Sequence, residues 1–141
     1  MTGIATLHAD MRAAFRKALR DIAGLPDQVE WEGKAFSPAI GVPFMSEGMV
    51  PVSSEPRAIG LGGTIRHRLL GTVNLFYPSN KGTLEAELAT GLVLATFRPG
   101  TVLTYNGASG TVMKAEPRKI LPDTDYLNAP VVVTILAYTA N

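Results

Sequence analysis

The sequence predicts an α+β fold: a mostly antiparallel β-sheet with two helices packed against it, in the order helix, strands, helix, strands. Three observations carry this. A stripe of apolar residues at helical period opens the chain. A second helical pattern lies past its middle. Alternating and β-branched stretches fill much of the rest. The 141 residues are the size of a single domain over 1–141, long enough to bury roughly two-thirds of the unfolded surface without metals or disulfides.

The first helix is expected over residues 2–23. Ile4, Leu7, Met11, Phe15, Ala18, Leu19 and Ile22 recur at spacings of three and four, giving one apolar stripe. Thr2 suits the N-cap. Arg16, Lys17 and Arg20 favour the negative end of the helix dipole, and Gly24 with Pro26 stops the helix. Residues 28–32 read as a short strand and 33–43 as a loop. Phe44 to Val52 reads as a second strand, where Pro51 argues for an edge position or an early end. Residues 53–64, SSEPRAIGLGGT, read as a flexible loop of a length that is often functional.

Ile65 to Tyr77 reads as the longest strand. Ile65, His67, Leu69, Gly71, Val73, Leu75 and Tyr77 share one face, and Arg66, Arg68, Leu70, Thr72, Asn74 and Phe76 the other. Its second half reads as buried on both faces, and its length suggests a hairpin arm. After the break at 78–82, residues 83–97 read as the second helix, with Leu84, Leu88, Gly91, Leu92 and Ala95 on its apolar face. Thr101 to Tyr105 and Thr111 to Glu116 form a hairpin around NGASG. The last strand, Tyr126 to Tyr138, is built on VVVTI.

Composition excludes several classes of function. There is no cysteine, so thiolate catalysis, zinc–thiolate sites and disulfides are out. The net charge of +1 lacks the basic excess of a specific nucleic-acid binder. No run approaches the ~20 apolar residues of a membrane span, and the N-terminus has no signal-peptide core. A soluble, intracellular protein is expected, with no cofactor and no metal.

No catalytic constellation emerges. His8 and His67 lack a spaced set of carboxylates. Gly60-Leu61-Gly62-Gly63 precedes a strand and lacks the lysine of a phosphate loop. Ser109 sits in a β-turn, and the acids of Asp123-Thr124-Asp125 read as solvated. Glu85 and Glu87 are two apart on a helix and point to different faces. What remains is surface. Arg12, Arg16 and Arg20 form a basic ridge, readable as a solvated face or as a docking surface for an acidic partner or DNA. The glycine loop with Arg57, Gly60, Gly62 and Gly63, followed by Arg66 and Arg68 on one strand face, forms a second candidate contact element.

The order of these motifs carries a resemblance. The helix MRAAFRKALRDIAGLP is followed by VEWEGKAFSP, then the strand GLGGTIRHRLLGTVNLFYP, then the helix NKGTLEAELATGLVLATF ending in Phe97, and then a β-rich C-terminus. In this layout the chain resembles the small tail-terminator proteins of long-tailed bacteriophages and related phage- and prophage-encoded tail-completion domains, also called minor tail proteins. The resemblance implies a structural, non-enzymatic virion protein assembled in the bacterial host cytoplasm. It implies a homohexameric ring that caps the tail tube, stops its polymerisation and offers the head a docking surface. The implied partners are copies of itself, the tube protein and head–tail connector proteins, with no membrane and no specific nucleic acid. Two other readings stay open: another head–tail joining protein, or a small-ligand-binding α+β domain with a pocket between helix and sheet.

Overall fold

The computed structural model describes residues 3–140. The elements run α1 (Leu7–Arg20), β1 (Gln28–Trp31), β2 (Phe44–Pro56), β3 (Thr64–Pro78), α2 (Leu84–Thr96), β4 (Val102–Tyr105), β5 (Ala108–Pro117), β6 (Leu121–Asp123) and β7 (Tyr126–Ala140). One sheet of seven strands has the order β1-β2-β3-β7-β5-β4, with β6 pairing to β7. Only β1 and β2 run parallel; the other pairs are antiparallel. The α+β architecture expected from the sequence is what the chain adopts.

β3 is the central strand, paired to β7 along its whole length and to β2 along nearly all of it. Both helices lie on one face of the sheet. On β3 that face is His67, Leu69, Gly71, Val73, Leu75 and Tyr77, all buried. The opposite face is Leu70, Thr72, Asn74 and Phe76, all half-buried. The second half of β3 is therefore fully buried on one side and only half-covered on the other, where Phe76 stacks on Phe44 with ring centroids 4.4 Å apart; this corrects the expectation of burial on both. α1 packs on β2 near one end of the strand order and on β4 at the other end, so the sheet curls around it. Leu7, Met11, Phe15 and Leu19 fill the concave side. Phe15 meets Phe97 with ring centroids 5.1 Å apart, which locks the two helices together.

Several boundaries differ from expectation. α1 starts at Leu7 rather than residue 2, and Ile4 lies exposed before it; Thr2 falls outside the described residues. β2 runs on to Pro56 rather than ending at Val52. β1 covers only Phe44–Glu47, so Pro51 sits on a free edge, and the register shift between Pro51 and Ser53 absorbs it. Five of the twelve residues expected as loop, 53–56 and 64, are thus strand, and the loop proper is 57–63. The NGASG turn tightens to two residues, Asn106 and Gly107, both at positive φ (50° and 83°), as a type I′ hairpin requires. β6 went unread because three residues including Pro122 give no periodicity.

The largest correction concerns α2. Its expected core face, Leu84, Leu88, Gly91, Leu92 and Ala95, points to solvent. The buried face is Ala86, Ala89 and Val93, followed by Phe97. Short side chains let the helix lie close on β3 and β7, and leucines in those positions would lift it away.

Candidate interaction surfaces

The β2–β3 hairpin carries the first surface. Arg57 N–H donates to the Thr64 carbonyl at 2.7 Å and closes the loop. Gly60 and Gly62 take positive φ (121° and 86°), which glycine alone adopts freely. At Gly63 a Cβ would stand 3.0 Å from the Ala58 carbonyl oxygen. Between these glycines Ile59 and Leu61 are fully exposed, at 101% and 96%. Arg66 and Arg68 share one strand face, the one away from the helices. Arg66 donates to Glu55 across the hairpin at 2.9 Å. Such an exposed pair is worth about 1 kcal/mol or less, so Arg66 remains open to exchange. Arg57 and Arg68 are exposed and form no ion pair among the described residues.

His67 lies on the opposite face of the same strand. Its Nδ1 is 2.7 Å from Ser54 Oγ and its Nε2 2.9 Å from Thr139 Oγ1. A neutral ring satisfies both contacts, because each hydroxyl can donate or accept. The fold also brings His8 near, with ring centroids 6.1 Å apart. Burial, and then the charge of His8, push the His67 pKa below its ordinary 6.5. A lowered folded-state pKa means that the unfolded chain takes up the proton first. Stability is therefore full above about pH 6.5 and falls as the pH drops from there to the folded-state pKa. Melting temperatures from pH 8 to 5 should show this decline, and His67→Gln should flatten it; an unchanged profile in that variant would assign the pH dependence to other groups.

The α1 ridge is less free than its sequence suggested. Arg16 Nε donates to Glu47 Oε1 at 2.7 Å, and its guanidinium stacks over Trp31 at 5.4 Å. Arg12 pairs with Glu32, lies 3.6 Å from Glu47 Oε2 and donates to the Met49 carbonyl at 3.1 Å. Glu47 is buried. These two arginines therefore dock α1 on the sheet. Arg20 is exposed and, among the described residues, without an ion pair. With Lys17, Lys34 and Tyr105 they border a surface groove beside Trp31.

The sequence reading missed the third surface as a surface. Leu84 and Leu88 are 66% and 63% exposed, and Leu92 is 39% exposed. Gly91 lies between them with nothing within 4 Å of the place its Cβ would occupy. A mid-helix glycine costs about 1 kcal/mol relative to alanine, and among the described residues no contact requires it. Their helical spacing is visible in the sequence, where it predicts a core face. Among the described residues no cluster of three or more His, Asp or Glu forms a metal site, and no helix is long and apolar enough to cross a membrane.

Protruding loop, paired ridge and bare helix face are geometries for contact between proteins. Comparison with known proteins assigns the class: residues 10–134 match the model of the phage tail terminator protein family. The chain belongs to that family and is a structural protein of the phage tail. A solved chain that bears only a sequence code is 22% identical, covers 90% of this chain and 92% of its own, and superposes with a TM-score of 0.72. A chain from the virion of a native gene transfer agent particle is 15% identical, covers 94% of this chain and 97% of its own, and has a TM-score of 0.63. At those identities the likeness is one of fold. No curated protein matches by sequence.

Proposed function

We propose that this protein caps the finished tail tube as a ring of six copies, halts polymerisation of the tube subunit and presents the surface on which the head docks. The family match over residues 10–134 carries the reading. The contact surfaces in it are the hairpin loop with Arg57, Gly60, Gly62, Gly63, Arg66 and Arg68, and, on α1, Arg20 with the ridge that Arg12 and Arg16 anchor. The partners are neighbouring copies, the tube protein and the head–tail connector. Deleting the gene and imaging the induced lysate by electron microscopy tests this. Overlong, headless tubes are expected, restored to normal length by expression in trans. Headless tails of normal length would move the protein to the joining step. Intact virions would overturn the reading.

A further inference from the structure

Two apolar patches stand exposed among the described residues. One is the α2 face of Leu84 and Leu88, continued by Leu92, which leans on Gly24, and notched at Gly91. The other is the hairpin tip, where Ile59 and Leu61 stand clear of the protein. They lie at opposite ends of β3, since the tip precedes Thr64 and α2 follows Pro78. The tip of one copy therefore does not reach its own α2. Their charges are complementary. α2 carries Glu85 and Glu87 in its first turn and no basic residue in its last, while the tip carries Arg57, with Arg66 and Arg68 behind it. A small residue in an exposed helix face fits close approach from outside, because among the described residues nothing uses the space at Gly91.

We infer that the Ile59–Leu61 tip of one copy seats on the α2 face of the next, across Gly91, with Arg57 beside the acidic first turn. The two patches differ, so the contact is heterologous and propagates head to tail, as a closed ring requires. This inference rests on the ring reading above and names its subunit contact.

The absence of cysteine permits a direct test. Full-length Leu61→Cys and Leu88→Cys chains are expressed singly, and as the double variant, in the deletion background, and the tails are purified and oxidised. A disulfide forms only where the two Cα atoms come within about 7 Å. The double variant should give a ladder of cross-linked multimers, and each single variant should stay monomeric. Leu88→Cys linking to itself would mean paired helices instead. Linkage to the tube or connector protein would give the face a different occupant. Either result, or no linkage in tails that contain the double variant, overturns the contact. A second variant guards against loss of assembly: Leu88→Asp, at an exposed position, should melt within a few degrees of the parent yet enter tails at least tenfold less. Undiminished incorporation would also overturn the contact. Tail length in the deletion strain is read separately, so normal tail control without the cross-link removes the contact and leaves the terminator reading standing.

Discussion

Phe15→Ala should lower the unfolding free energy by about 3–5 kcal/mol, the range for removing a fully buried phenylalanine. Phe15 is completely buried, and it stands where three elements meet. Its ring packs on Phe97 at the end of α2 and lies against the backbone of β3 at Gly71, where an added Cβ would stand 2.7 Å from the ring. Gly71 is thus a seat for the ring, and that explains a glycine inside the central strand. Gly71→Ala in the parent should cost about 1–3 kcal/mol by overpacking. In the Phe15→Ala background the same methyl group enters the vacated space. The double variant should therefore be more stable than the sum of the single losses predicts, by an amount that denaturant titration resolves. With total stabilities of 5–15 kcal/mol usual for a domain, the Phe15→Ala midpoint should fall by roughly 10 °C or more. Strict additivity would mean that ring and glycine do not share the site.

The same two residues show how much of the fold the sequence displayed. The spacing of Leu7, Met11, Phe15 and Leu19 marks a stripe that only a helix brings together. The alternation around Gly71 marks a strand, and both are found. What periodicity does not encode is depth. α2 is apolar on both sides, so its pattern could not say which side meets the sheet. The leucines looked like the core by size, while the close approach to β3 and β7 demanded the alanines. A similar gap hid the rest of β2. Pro51 reads as a strand ending, but among the described residues this edge has no partner beyond Glu47, so a missing N–H on that side forfeits no ladder bond and a bulge takes up the register. Ile59 and Leu61 lie among glycines, whose pattern marks a flexible loop and carries no periodicity that would show the side chains displayed there. Their signal was legible all the same, as two large apolar residues in a glycine-rich loop between strands.

Arg16→Met should cost about 3 kcal/mol, the lower end of the range for stripping a partner from a buried ion pair. Glu47 projects from the helix side of β2 and its side chain is fully buried. Its Oε1 accepts from Arg16 Nε at 2.7 Å and from the Glu32 backbone N–H at 3.4 Å. Its Oε2 accepts no hydrogen bond among the described residues, and only the Arg12 guanidinium stands near it, at 3.6 Å. Removal of Arg16 leaves a buried carboxylate held by Arg12 and the Glu32 backbone N–H, and these remaining contacts keep the loss at the lower end. Removal of the acid is different in kind. Glu47→Met leaves two arginines that are each partly exposed, so water can replace the lost partner. That variant should lose less than Arg16→Met, and the double variant should recover part of the loss, since a well-packed apolar replacement of a buried pair is often neutral or better. Urea titration of the three chains gives the order. If Glu47→Met proves the worse variant, the carboxylate is not the costly member. The order also bears on the surface of α1. Loss of tail assembly on changing Arg12 or Arg16 would report a loosened helix, whereas Arg20, exposed and outside this network, is the ridge arginine whose substitution reads docking alone.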